Sequence, residues 1–283
     1  DLTGTATAGT ASSITLAGGA TGINIGDIIT LTGGTGVGQT RVITAWDNGT
    51  KIATIYSNWA VTPNGTTTYA VKASAIYTPI SASLVTDTIY DYLHATPAAV
   101  NSKLRKILGW AGNASFTLPV SGVGQIAFTG QGKFVTPTDV SPPAAPTYQS
   151  QRPVAFVGAD VWLNNVATKL GTITLDMGNS VQIAPDPADT FGVAVAGITR
   201  RRTTGRINPP VALTSVRDVV VDFLAGTQRK LWWRYGIPGG AVSVYLPTIG
   251  YTGSEDEDLS GFAMEGIPFA AQGENSGLYL TVY

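Results

Sequence analysis

The 283 residues carry a formal charge of −1 and only 12% of them are charged, which excludes a dedicated nucleic-acid binder with a clustered basic excess. At 43% hydrophobic residues the chain has a packing composition rather than a disordered one, and with no cysteine it has neither disulfides nor thiolate metal sites. No apolar run approaches the roughly 18 residues of a membrane span, and residues 1–9 lack the basic-then-apolar order of a signal peptide.

Thr and Val are abundant beside 34 Gly and 16 Pro. That mixture reads as many short strands separated by turns, so a mainly β fold is expected. Low charge with a positive mean hydropathy is unusual for the surface of a free monomer. Part of the exterior is therefore expected to face copies of the same chain.

In chain order, strands are expected at 13–16, 28–31, 40–46, 51–56 and 67–72, forming a small barrel or sandwich. Asn48-Gly49 predicts a hairpin with a type I′ turn, because both residues tolerate positive φ. Gly33 to Gly38 lack the Gly-Lys-Ser/Thr ending of a phosphate loop and read as a turn. Residues 1–78 are taken as an accessory β domain and 79–283 as a second, larger one, joined through a linker at 76–84.

The second domain opens with an alternating strand at 87–93. Thr96-Pro97 is compatible with a helix start or with a hairpin loop. Strands follow at 104–108, 114–120 and 125–135. Residues 136–153 hold five prolines and read as an exposed arm, since Pro donates nothing to a sheet ladder. Pro142, Pro143, Tyr148 and Arg152 of this arm are candidate contacts to a neighbouring copy.

Strands resume at 155–163, 171–177 and 193–200. A helix is expected over 214–225, with Ser215 and Asp218 as a capping box, Gly226 beyond its end, and Val216, Val219, Val220 and Phe223 as its packing stripe. The last strands are expected at 230–235, 241–246, 259–269 and 277–282. Trp232-Trp233 point to opposite faces of their strand, one ring to a core and the other to an interface.

Few residues suggest chemistry. His94 is the only histidine and reads as a polar strand end rather than a metal ligand or triad member. Trp59 and Trp162 suit either ordinary packing or a sugar platform. Arg200, Arg201, Arg202 and Arg206 form the one basic cluster, read first as inter-subunit ion-pair partners. Glu255, Asp256, Glu257 and Asp258 read as a solvated loop or as the acidic wall of a DNA channel, where like charge prevents sticking. No catalytic residue, metal ligand or cofactor is assigned.

Two stretches carry a resemblance. Residues 34–55, with Trp59, Pro63 and Tyr69, resemble a small β module of phage tail and fibre proteins. Leu108-Gly109-Trp110-Ala111-Gly112-Asn113, the strands at 114–120 and 125–134, Thr174 to Asn179 and Ile198 to Arg202 are similar to tail tube proteins of long-tailed bacteriophages. Those proteins have a Gly-rich turn before paired strands and a later Leu-Gly-Asn turn. Trp110-Ala111 stands where that family often has Ala-Arg, and Met177 where Leu is usual. The resemblance implies a tail-tube-type β-sandwich flanked by one helix. It further implies self-association into stacked hexameric rings, contacts with other tail proteins, and passage of genomic DNA through the lumen without specific binding. No membrane is involved, and the location implied is the virion after assembly in the host cytoplasm. A tail fibre, decoration or receptor-binding protein is the alternative, and a polysaccharide-degrading enzyme a more distant one, requiring two carboxylates about 5–9 Å apart in a cleft.

Overall fold

The computed structural model describes residues 1–82, 84–94, 100–141, 143, 155–237, 239–273 and 277–283. Among these residues it is mainly β, with large antiparallel sheets and one helix. The first sheet contains β1 (Leu2–Thr5), β2 (Ala8–Thr10), β3 (Ser13–Thr15), β4 (Ile28–Gly33), β5 (Thr40–Asp47), β6 (Ile52–Tyr56) and β7 (Thr68–Val71). Its spatial order is β1-β7-β4-β5-β6-β3-β2.

Only Ala6 and Thr7 separate β1 from β2. Ala6 donates its N–H to Thr67 on the β7 side, and Thr7 to Thr15 on the β3 side. One bent strand therefore bridges both ends of the sheet and closes it into a small barrel. Ile14, Leu16, Ile29, Leu31, Ile43, Trp59 and Tyr69 fill it. Trp59 is only 5% exposed and its indole N–H donates to Ser13.

Turn chemistry departs from expectation at Asn48-Gly49. Neither residue has positive φ; the left-handed residue is Lys51. The Asp47 carboxylate accepts from the Gly49 N–H at 2.8 Å and the Thr50 hydroxyl at 2.7 Å, stabilising a longer Asx-type loop in place of a two-residue turn.

The second region holds β8 (Ala75–Tyr77), β9 (Asp87–His94), β10 (Ser102–Pro119), β11 (Gln125–Val140), β12 (Asp160–Leu163), β13 (Val166–Ala167), β14 (Thr172–Asp176), β15 (Asn179–Pro185), β16 (Val193–Arg201), β17 (Thr204–Ile207), α1 (Val219–Ala225), β18 (Gln228–Tyr235), β19 (Val242–Tyr251), β20 (Glu255–Leu259), β21 (Phe262–Ala271) and β22 (Tyr279–Val282). The main path runs β11-β10-β14-β17-β21-β19-β18-β12-β13, and β15 pairs with β16 alone. Leu118, Ile173, Leu175, Ile207, Ile267 and Phe269 join Leu231, Trp233, Val244 and Leu246 in one cluster. Residues from both ends of the path meet there, so the sheet folds over itself into a sandwich-like body.

Several expected boundaries move. Residues 76–77, expected to begin the linker, belong to strand β8, which pairs with β22 of the second sheet. The two strands expected at 104–108 and 114–120 are one 18-residue strand, because a bulge at Leu108–Ala111 absorbs the Gly-rich motif instead of a turn. Residues 136–140 extend β11 although they include Pro137. Proline is tolerated there because β11 lies at the sheet edge. Residues 155–159 are not strand, and Ala155 makes only an isolated bridge to Val123.

The helix is shorter than expected. Asp218, not Ser215, is its N-cap and accepts from the Val221 N–H at 2.9 Å; Gly226 ends it in the left-handed conformation. Of the expected stripe only Val219 is buried, while Val216, Val220 and Phe223 are exposed. The other buried helix residue is Asp222, held by Arg229 at 2.8 Å, so an ion pair seats the helix where an apolar face was expected. Thr96-Pro97 lies outside the described residues.

The barrel and the body meet in a third cluster, where Ile28, Val42 and Tyr56 pack on Trp232 and Tyr245. Trp232 and Trp233 do split between two environments: both are fully buried, Trp233 in the body core and Trp232 in this seam. The Tyr56 hydroxyl donates to the Lys230 carbonyl at 2.9 Å and accepts from the Asn165 N–H at 3.0 Å. Burial pushes this phenol well above its ordinary range. The Arg41 guanidinium, also buried, donates to the Ser57 and Asn58 carbonyls and lies 4.6 Å from the centre of the Trp162 ring. Burial lowers its pKa, with Asp160 opposing.

Candidate assembly surface

Two β-ribbons extend from the body. One is β10 with β11, backed over its far half by β9; the other is β15 with β16. Their common root gathers the residues that carry the tail-tube resemblance. Asn113 Nδ2 donates to Asp176 at 2.8 Å, and Asn113 Oδ1 accepts from the Asn179 N–H at 3.0 Å. Asn179 Nδ2 donates back to the Gly112 carbonyl at 3.0 Å, and its Oδ1 accepts from Arg201 Nε at 2.8 Å.

Gly178 at this root has φ +65, and a Cβ there would run into the Arg202 carbonyl oxygen. Only glycine fits. The Trp110 indole lies directly on the Gly112 and Gly130 backbones, where any side chain would meet the ring. Farther out the ribbons are tied by the Lys133–Asp189 ion pair and by an edge-on contact of Phe134 with Phe191.

The first seven residues of β11 are exposed, on both faces of the strand. Ile126 stands opposite Phe116, and Phe128 opposite Ala114, so Ile126 and Phe128 share the face on which Phe116 packs against the body core. That face continues uncovered at the edge: Ile126 is 53% and Phe128 68% exposed. Among the described residues β11 pairs only with β10, so its outer edge is open. A second apolar exposure lies on α1 and the segment before it, where Leu213 and Leu224 are three-quarters exposed.

The predicted site residues are dispersed. Pro142, Tyr148 and Arg152 lie outside the described residues, and Pro143 is exposed. Arg200 and Arg202 are exposed near the ribbon root, while Arg201 also donates to the Ile80 carbonyl at 3.1 Å. Arg206 is not with them. It sits on β17 and pairs within its own chain with Glu255 at 2.6 Å and with Glu257 at 2.8 Å from its Nε; these bonds raise its pKa. The Arg206 charge is therefore already engaged within its own chain.

The acidic run, expected as a loop, is strand β20 paired to β21. With period two, Glu255 and Glu257 take one face and Asp256 and Asp258 the other. The Arg206 charge stabilises the first face as a strand, and Asp258 accepts from the Gly261 N–H to close the hairpin. Among the described residues no three His, Asp or Glu side chains converge as a metal site would require. Trp59 is inside the barrel and Trp162 stacks under Arg41, so neither offers an open sugar platform.

The β15–β16 ribbon and the exposed Ile126–Phe128 edge are the features that sequence reasoning missed. A signal existed for the first: after Gly178, Val181 and Ile183 alternate with Ser180 and Gln182, and the segment pairs with the strand expected at 193–200. No family model matches this sequence, and no curated protein matches it.

Proposed function

We propose that this protein is a structural subunit that assembles with copies of itself, and that the assembly is a phage tail tube made of stacked hexameric rings. The uncovered core-side face at Ile126 and Phe128, on a strand with an open edge, supports this reading. A lone chain leaves that surface in water, whereas a neighbouring strand laid against β11 satisfies both its backbone groups and its apolar side chains. Contacts between unlike surfaces close into rings or run on as filaments, and a stacked tube uses both. The motif residues at the ribbon root support the tail-tube version, because they serve as the anchor from which both ribbons project.

The test is negative-stain microscopy of the purified chain beside a variant carrying Ile126→Lys and Phe128→Lys. Hollow tubes or six-membered rings are expected for the parent and dispersed particles with unchanged circular dichroism for the variant. Parent particles that remain monomers or compact trimers at high concentration overturn the proposal, as do tubes unaffected by the double substitution.

A further inference from the structure

The seam between barrel and body carries an open groove that the assembly surface does not use. One half is a cleft of about 710 Å3 beside Trp46 and Ser74, the other a cleft of about 410 Å3 beside Gln228 and Gln272. Ile25 and Tyr279 line both, so the two halves adjoin.

The chemistry of the lining is selective. Among the described residues no Asp, Glu, Lys, Arg or His lines either half. Two partly exposed rings, Trp46 and Tyr279, face the same cleft. The Tyr279 ring is held from behind by the buried Tyr245, stacked at 6.1 Å. In the other half Gln228 Nε2 donates to Gln272 Oε1 at 2.6 Å. That bond leaves an acceptor on Gln228 and a donor on Gln272, side by side.

The walls are also fixed. Asp27, 5% exposed, lies beneath the groove and accepts from the Asn24 N–H at 2.7 Å and the Ser74 hydroxyl at 2.6 Å. Across the seam the Thr281 hydroxyl donates to the Gly26 carbonyl at 2.8 Å. A ligand would find the site formed rather than having to order it.

An anion bound here would leave its charge without a partner. A purely apolar ligand would strip water from the amides without replacing their hydrogen bonds. A ligand with C–H faces for the rings, neighbouring hydroxyls for the amide pair and no charge satisfies every group. We propose that the seam groove binds an uncharged oligosaccharide, stacked on Trp46 and Tyr279 and read by the Gln228–Gln272 pair. This does not rest on tube formation, since every residue of the groove belongs to one chain.

The test is an array of neutral linear oligosaccharides built from glucose, galactose, mannose, rhamnose or N-acetylglucosamine, with oligogalacturonate as the anionic control. The full-length chain is the probe, and the best ligand is then titrated calorimetrically. Binding of at least one neutral oligomer, insensitive to salt, is expected. Gln228→Ala and Trp46→Ala should each weaken it about tenfold, one hydrogen bond's worth or one ring contact's worth, and Gln228→Ala should leave thermal unfolding unchanged. Failure of every neutral oligomer, equal affinity for oligogalacturonate, or unchanged affinity in Gln228→Ala overturns the proposal.

Discussion

The barrel and the body face the same problem and solve it differently. Both are antiparallel sheets of β-branched and aromatic residues with few charges, and both must dispose of strand edges. The barrel bends its first strand at Ala6–Thr7 so that one segment pairs at both ends. The body ends instead at β11, which is 16 residues long and, among the described residues, paired on one side, and it projects a second ribbon, β15–β16, from its root. The difference teaches that composition indicates a sheet, while closure depends on a few local features: a two-residue bend in one case, and in the other long bulged strands without a returning partner among the described residues.

Amide exchange on the unassembled chain is the sharpest way to break this comparison. Barrel amides on β4, β5 and β7 should open only near the global unfolding free energy, which is about 5–15 kcal/mol for ordinary domains. Those amides of residues 125–131 that point away from β10 should exchange near the free-peptide rate. The ratio between the two sets should be at least about a thousandfold. Equal protection would mean that the β11 edge is already covered, and the contrast would vanish.

The two regions also spend glycine differently. Gly38 in the barrel has φ +87 with open space around its Cβ position, whereas Gly178 at the ribbon root has φ +65 and a carbonyl oxygen in the way. Gly38→Ala should cost only the left-handed strain, about 1–2 kcal/mol. Gly178→Ala adds a backbone collision and should cost about 2–4 kcal/mol, with faster exchange in β15 and β16. Denaturant midpoints of the two variants give the comparison directly; equal losses would show that the root tolerates displacement.

How much of this was legible follows from the range of the interactions. The five barrel strands expected from sequence appear close to their predicted bounds, because alternation and Gly-rich turns are local signals. Trp232 and Trp233 separate as their spacing requires. The bent β1–β2 strand was not legible, since its closure depends on Thr67 and Thr15, far apart in sequence. Nor was the nature of β20: four consecutive acids look solvated until Arg206, some fifty residues earlier, is placed opposite two of them. The helix stripe misled for a similar reason, because Asp222 reaches Arg229 and turns the apolar residues outward. Of the candidate contacts, Arg201 reaches the ribbon root and Arg206 does not.

A last difference between the regions is their response to acid. The tip of the β15–β16 ribbon is tied to the middle of β11 by Asp189, whose carboxylate accepts from Lys133 and from the Phe191 N–H at 2.8 Å. The Lys133 hydrogen bond first, and then the Phe191 N–H, hold its pKa below the usual carboxylate range. A folded-state value below the unfolded one stabilises the ionised form, so the contribution is complete above the unfolded value of about 4 and is lost as pH falls through the lowered folded value. The cross-links of the seam at Tyr56–Lys230 and Thr281–Gly26 are hydrogen bonds between uncharged groups that do not titrate across that range. Acidification from neutral pH should therefore loosen residues 186–192 against β11 before it loosens the seam. Exchange or relaxation measured at the Phe191 amide should report this as a small change confined to acid pH. Lys133→Ala should reproduce most of the loosening at neutral pH and leave only the smaller acid dependence carried by the Phe191 N–H bond. Loosening of the seam first, or a Phe191 signal unaffected by Lys133→Ala, would show that the ribbons are held by packing at Phe134 and Phe191 alone.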